Sequence, residues 1–541
     1  MGFRENKFTQ LNIEDCLLIS NDQRDYMDKH WPGKFYREVF SYIDEEPFKV
    51  LYTDNPNSRP NIPVNVLFGA SILQQMHHLT DEQLFESVAF DQRFKYALGI
   101  SMKQDFPFSL KTFRRFRYRC AEYYTQHNVD LIHDAVVSLA KQIQKYVGIS
   151  DGCVRMDSLM IEANIRILSR MELLYTCAKN MLKAMAKEGS VIPENLKHYL
   201  DPNDYNRISY YDKDTSSKKK FQTIVDEAVA VYVMAKKDFA STKEFEDLER
   251  ALREQTKPSG DDDPSGNGKD VKRVPKDSSD DMNSEMMQNP SDREATFRKK
   301  AGKNHRGYVG HFEETTDENG SIITEYDCAP NNKSDIQFMR ERLEKRTPDD
   351  KHEINICDGA YSSVEIQEKA AEVNVEIIAT NMTGRKVSKV IADFKIDDTD
   401  VDDPIVECPT GNKSLSAVKY KNGLWRIKFK RSACEGCPHC KECRAKLQKD
   451  SAVVMFSETS YKRACELKKH SQNPERYHFC ARVRNGVETV PSLLRRQYHI
   501  DKLPFRGHVQ TKQRMGLCIA AINFKKLLRH DKNLLKCRAY M

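Results

Sequence analysis

Three acidic residues, far apart in the chain, stand where a carboxylate could do chemistry: Asp157 in CVRMDSLMIEAN, Asp358 in INICDGAYSS and Glu488 in ARVRNGVETVPSLLRRQYH. The first two close short runs rich in Val, Ile, Met and Cys, the composition of buried strands. Glu488 instead opens a stretch in which Val487, Val490 and Leu494 keep helical spacing. Clustered carboxylates repel one another, so they are tolerable mainly around divalent cations, and oxygen-only ligands suit magnesium or manganese. Two such ions about 4 Å apart can activate a water or a hydroxyl and stabilise the leaving oxygen of an in-line displacement. Taken singly, an Asp at a strand end is more often a turn or cap residue, and Asp-Gly is a common turn dipeptide. The combination is what points to one metal site.

A second cluster carries sulfur. Cys434, Cys437, Cys440 and Cys443 recur at every third residue, with His439 among them and Cys408 upstream. Four thiolates could hold zinc tetrahedrally, or an iron–sulfur cluster. Ligands at that spacing cannot all reach one zinc from a regular helix, so a loop, or a subset completed by Cys408 or His439, is expected. Free thiols in a reducing compartment are the competing reading.

Composition narrows the class. The 541 residues suffice for two to four domains. Charged residues make up 31% and mean hydropathy is -0.70, with no apolar run of the roughly 18 residues a membrane helix needs. MGFRENKFTQLNIEDC lacks a basic-then-apolar leader pattern, and fifteen cysteines without one suggest a reducing compartment, the cytoplasm. A net charge of +7 does not identify a partner, but its distribution is informative. Acidic residues gather in DDDPSGNGKD and DDTDVDDP, basic ones in KTFRRFRYR, FRKKAGKNHR, RIKFKR and SLLRRQYH. Such basic patches can neutralise phosphates, although some are simply solvated surface.

The positioning elements can be read in outline. Residues 1 to about 145 read as mostly helical. Pro63 opens one helix, Thr80 caps another running through DEQLFESVAFDQRFKYALG to Gly99, and Ser109 caps LKTFRRFRYRCAEYY. In that last helix Arg114, Arg115, Arg117 and Arg119 alternate with aromatic residues, so helix, turn, basic helix suggests a DNA-binding arrangement. A basic amphipathic helix packed on its own domain is the other reading. Long helices are expected over MIEANIRILSRMELLYTCAKNMLKAMAKEG and TIVDEAVAVYVMAKKDFASTKEFEDLERALREQT, then a Pro/Ser/Gly/Asp-rich linker from about Lys257 to Asn289. A hairpin of HRGYVGHFEET and GSIITEYDCAP follows, then helix QFMRERLEKR, strand EINICD, helix VEIQEKAAEV and strand VEIIATN.

These segments resemble, in order, those of DDE transposases from bacterial insertion sequences. The resemblance covers RPNIPVNVLFGASILQQMHHLTDEQLFESVAFDQRFKYALGI, QNPSDREATFRKKAGKNHRGYVGHFEE, TGRKVSKVIADFKID with CPTGNK, and CEGCPHCKEC, besides the three acids. It implies an α/β fold, an RNase-H-like core of mixed sheet flanked by helices, with a helical N-terminal DNA-binding domain and a Cys-rich insertion. The implied partition is residues 1–145 for that helical domain, 146–165 for the first catalytic strand, 166–256 for a helical insertion and 257–290 for a flexible linker. Residues 291–393 would continue the core, 394–460 would be the Cys-rich insertion and 461–541 the C-terminal catalytic helix region.

In the family branch with a Tyr-x2-Arg-x3-Glu-x6-Lys signature, Glu488 is the acid, Arg484 the arginine, and Arg495 stands in the lysine slot, while Ala481 occupies the tyrosine position. The implied reaction is Mg2+- or Mn2+-dependent hydrolysis at the ends of a mobile element, then strand transfer by the freed 3'-hydroxyl into double-stranded target DNA, by a homodimer. Asp157, Asp358 and Glu488 would be catalytic metal ligands. Arg484 and Arg495 on one helical face would contact phosphate with the arginines of 114–119, and Cys434, Cys437, Cys440 and Cys443 could hold structural zinc. Tyr361, beside the second acid, reads as core. A non-catalytic DNA-binding regulator descended from a transposase is the alternative, and a metal-cluster redox protein a third reading that leaves the acids unexplained.

Overall fold

The computed structural model describes residues 1–6, 18–55, 57–104, 106–206, 216–259, 272–277, 283–300, 302–380, 387–397, 404–420 and 423–539. Most of the acidic stretches DDDPSGNGKD and DDTDVDDP, part of the N-terminal MGFRENKFTQLNIEDC and the start of TGRKVSKVIADFKID lie outside the described residues.

Six strands build the central sheet: β1 (Cys153–Glu162), β2 (Thr296–Lys300), β3 (Lys303–Asp317), β4 (Gly320–Pro330), β5 (Glu353–Asp358) and β6 (Val375–Thr380). Their order is β4-β3-β1-β5-β6, with β2 pairing the start of β3. The sheet is mixed: β1 runs antiparallel to β3 and parallel to β5, and β5 is parallel to β6. The hairpin β3–β4 turns at Asp317–Gly320, as the DENG segment predicts. Strand β1, expected within 146–165, is shorter than that span, because the preceding helix runs on to Val147 and ends where Gly148 takes a left-handed φ of 78°. Strand β1 also claims Met160 to Glu162, so the helix expected to begin at MIEAN starts only at Arg170. Antiparallel pairing with β3 extends to Glu162↔Gly307 and holds those residues extended.

The N-terminal helices are α1 (Asn21–Lys29), α2 (Trp31–Glu38), α3 (Val64–Met76), α4 (Asp81–Phe90), α5 (Gln92–Ala97), α6 (Leu110–His127) and α7 (Leu131–Val147). The single helix expected over residues 81–99 is broken at Asp91. Its backbone is extended, and its carboxylate accepts the Arg93 N–H at 2.9 Å, which ends α4 and caps α5. These helices do not close a core of their own. Phe35, Phe68 and Leu139 share one apolar core with Leu159, Phe312 and Tyr326 of the sheet and with Met515 and Phe524 of the C-terminal helix.

The insertion does have its own core. Helices α8 (Arg170–Lys187), α9 (Ser217–Ala235) and α10 (Lys243–Gln255) bury Leu174, Met181, Val225 and Leu248 together. The long helix expected from TIVDEAV onward is two, because Thr242 caps α10 by accepting the Phe245 N–H. The linker expectation is corrected at both ends. Thr256–Pro258 pairs antiparallel with Arg273–Pro275, and Met287, only 1% exposed, is packed into the insertion core. A methionine surrounded by apolar side chains gains more from burial than a linker would from freedom.

On the other face of the sheet lie α11 (Asp335–Glu344) and α12 (Val364–Glu372), covering Val154, Met156 and Cys357. A second, four-stranded sheet follows: β7 (Ser416–Lys419), β8 (Leu424–Lys430), β9 (Lys446–Leu447) and β10 (Ser451–Ser457), in the order β7-β8-β10-β9. It closes on Phe394, Trp425, Phe429 and Phe456. The chain then returns through α13 (Glu458–Gln472), α14 (Pro474–Val487), α15 (Thr489–Arg496) and α16 (His508–Ala539).

Helix α16 covers the outer edge of β4. The buried Asn523 amide donates to the Ile323 carbonyl at 2.7 Å and accepts the Ile323 N–H at 3.0 Å, so one side chain does for this edge what a further strand would. Asn523→Ala is therefore expected to strand two buried backbone groups and lower stability by about 2 kcal/mol or more, read as a drop in the urea midpoint.

Candidate active site

Asp157 and Asp358 are brought together by register. Strands β1 and β5 pair in parallel up to Arg155↔Ile356, and each acid lies two residues further along its strand. A step of two residues preserves the face of a strand, and neighbouring strands lie about 4.8 Å apart, so the two carboxylates emerge side by side on one face. Asp157 is the more enclosed, its side chain 18% exposed against 31% for Asp358. Burial pushes the Asp157 carboxyl above its ordinary value, against the opposing pull of the Ser158 N–H and the charges of Arg484 and Lys300.

The third acid comes from the helices packed over this face. Glu488 stands at the seam where α14 ends and α15 begins, rather than inside one continuous helix. One turn earlier, Arg484 points inward with its side chain 7% exposed. Its Nη1 pairs with the Glu488 carboxylate, and its Nη2 lies 3.7 Å from Asp157 and 3.7 Å from Asp358. One guanidinium therefore touches all three acids, while its Nε is buried without a hydrogen-bond partner. A unit charge pair at 4 Å is worth about 4 kcal/mol at an effective dielectric of about 20, enough to offset much of the repulsion among the carboxylates. Three negative charges against one positive still leave the cluster short of positive charge, a donor set suited to divalent cations.

A buried ionic network holds α14 against the sheet. Arg155, on the same face of β1 as Asp157, donates from Nη1 to the Val483 carbonyl of α14 at 2.8 Å and from Nε to Glu314 at 2.6 Å. Glu314 is fully buried in β3 and also pairs with Lys526 of α16. Gly486 permits the approach, since a Cβ there would fall on the Arg155 guanidinium. Sequence reasoning missed Arg155, Glu314 and Lys526. The available signal was the i, i+2 placement of Arg155 before Asp157 in the strand VRMD.

The remaining expected residues are placed less uniformly. Arg484 and Arg495 do not share a helical face: Arg484 is buried among the acids on α14, whereas Arg495 is exposed on α15. In α6, Arg114 bonds Asp81 and Glu82, Arg117 bonds Asp81, and Arg119 lies over the Tyr52 ring, so much of this basic helix packs onto its own domain. Arg115 is exposed. Tyr361 is core, 1% exposed, with its hydroxyl 3.0 Å from His311 Nδ1.

The cysteines follow a chain of turns, the Cys437 N–H meeting the Cys434 carbonyl and the Cys440 N–H that of Cys437, with Cys443 buried. Among the described residues, no three His, Cys, Asp or Glu side chains already stand together as a metal-ligand set. Glu488 itself borders an open cleft of about 900 Å3 lined also by Asn485, Ser492, Lys526, Arg529 and His530.

Two family models match the chain, one described as a transposase domain (DUF772) over residues 24–119 and one as a transposase DDE domain over residues 407–528. The second spans Arg484, Glu488 and Arg495, and a DDE domain implies an RNase-H-like fold; Asp157 and Asp358 lie outside it. No curated protein and no solved structure matches. Among the described residues, no helix is long and apolar enough to cross a membrane.

The network beneath the site makes a direct prediction. Burial opposes ionisation of Glu314, yet Lys526 and Arg155 outweigh it and hold its carboxyl below the usual glutamate range. Its stabilisation is thus complete above the unfolded glutamate pKa and fades as pH falls through the depressed folded value. Glu314→Gln, which leaves two cations without their acid, is expected to cost about 3–5 kcal/mol near neutral pH. Thermal melts should show the gap from wild type narrowing toward acid pH.

Proposed function

The chain carries the domains of a DDE transposase of insertion sequences, and from that premise we propose that it cuts the ends of its element and joins them to target DNA by metal-dependent hydrolysis and strand transfer. The observation that carries this reading is the convergence of Asp157, Asp358 and Glu488 on one buried guanidinium, from two strands and a helix seam. In this reading the three carboxylates hold divalent cations, magnesium or manganese. When bound, these ions would activate the attacking oxygen and stabilise the leaving oxygen of an in-line displacement.

The chain's own part is orientation. Asp157 and Asp358, fixed by sheet register, present oxygens from the rigid floor of the site, and Glu488 closes it from the helical side. The cleft beside Glu488, with Arg529 and His530 on its wall, would give the DNA backbone an approach. Cutting two ends in concert would call for two copies of the chain on DNA. Cys434, Cys437, Cys440 and Cys443, or a subset of them completed by Cys408 or His439, would hold a structural zinc with four ligands in the turns after β8. The Cys408 thiol is held below its usual range, burial being outweighed by hydrogen bonds from Thr410 and Asn412. The non-catalytic regulator is not favoured.

With a labelled element end and Mg2+, the purified protein should nick or join DNA, and Asp157→Asn, Asp358→Asn and Glu488→Gln should each abolish this while DNA binding persists. Full activity in any one variant would remove that acid from the site.

DNA contact separates the arginines by what already engages them. Arg495 and Arg115 are exposed and proposed to meet phosphate, so Arg495→Ala and Arg115→Ala should each lower the salt dependence of binding, by roughly 0.9 in log–log slope per contact. Arg114→Ala should chiefly lower the melting temperature, because its partners are Asp81 and Glu82.

A further inference from the structure

We propose that Arg484 is the resident counter-cation of the acid triad and that it competes with metal for the three carboxylates, so that metal loading is suppressed while its guanidinium stays among them. The inference rests on the reading of Asp157, Asp358 and Glu488 as metal ligands. An arginine meant to meet a phosphate would be expected near the surface, as Arg495 is. Arg484 is instead buried, and its guanidinium lies in the space between the carboxylates, where a cation they share would sit.

The position is a compromise for the arginine itself. Both terminal nitrogens face carboxylates, but the 3.7 Å separations to Asp157 and Asp358 are too long for hydrogen bonds, and Nε has no partner. A small, hard cation could approach each oxygen far more closely, at about 2.1 Å for magnesium. The guanidinium thus bonds Glu488 but only relieves the repulsion of Asp157 and Asp358 without hydrogen-bonding them, so a cation that reaches both can displace it. Arg484 and Glu488 share one short stretch of α14 and its end, so the residue that neutralises the site travels with the residue that completes it. Metal entry requires the Arg484 side chain to leave while the backbone holding Glu488 stays, and that backbone is anchored by the bond from Arg155 to Val483.

The test is a titration of Mn2+ into DNA-free protein, with free ion read by electron paramagnetic resonance. Arg484→Gln should bind Mn2+ about tenfold or more tightly than wild type. Arg484→Lys, which keeps a positive charge, should stay near wild type. Without metal, Arg484→Gln leaves the acids mutually repelling, so Mn2+ should raise its melting temperature by more than it raises that of wild type; this second readout also reports whether the variant is folded. Equal or weaker binding by a folded Arg484→Gln protein, with Asp157→Asn abolishing binding in both backgrounds, would overturn the competition and leave the metal site standing. Failure of wild type and every variant to bind Mn2+, with or without DNA, would overturn the metal reading and this inference together.

Discussion

Three carboxylates meet one guanidinium in this protein, and the positive charge of Arg484 offsets part of their mutual repulsion. The surrounding structure can be understood as the means of bringing this about. Parallel pairing of β1 with β5 aligns two of the acids, and the seam between α14 and α15 supplies the third. Arg155 then ties α14 to the sheet through a backbone carbonyl, and its own charge is balanced by an acid buried in the next strand. Burying so much charge is costly, and the cost is tolerable because each buried ion has a partner.

That network also explains why the N-terminal helices cannot be treated as a detachable module. Lys526, which completes the pairing of Glu314, lies on α16, and α16 packs at once against the sheet and against α3 and α7. The region of the first family match and the helix that pairs with Glu314 beneath the acid cluster therefore share one apolar core. The insertion of α8–α10 and the small sheet β7–β10 each close on cores of their own, so they interrupt the chain between the acids without interrupting the packing that positions them.

Several features of the candidate site were legible in the sequence for physical reasons. Both apolar runs, CVRMD and INICD, are strands as read, but only INICD ends at its acid; Asp157 stands midway along β1, which antiparallel pairing carries on to Glu162. The hairpin turn at DENG and the caps at Thr80 and Ser109 are local, set by side chains within three residues of the backbone they bond, and they were readable. The break at Asp91 was equally local but was obscured by the apolar periodicity that continues across it. For the arginines of α6, helical spacing shows which residues share a face and not what that face meets. Asp81, nearly 40 residues from Arg117, decides it.

By itself the sequence determined the identities of Asp157, Asp358 and Glu488, the strand character around the first two and the helical character after the third. These depend on alternation, helical spacing and capping, which act over a few residues. Only the tertiary structure decided that Arg484 lies inside the acid cluster, that Arg155, Glu314 and Lys526 hold the helix above it, and that the N-terminal helices belong to the same core. Each of those depends on the meeting of groups more than a hundred residues apart. Whether a charged side chain faces water, phosphate or a buried carboxylate is set by what the rest of the chain packs against it, and no local pattern encodes that.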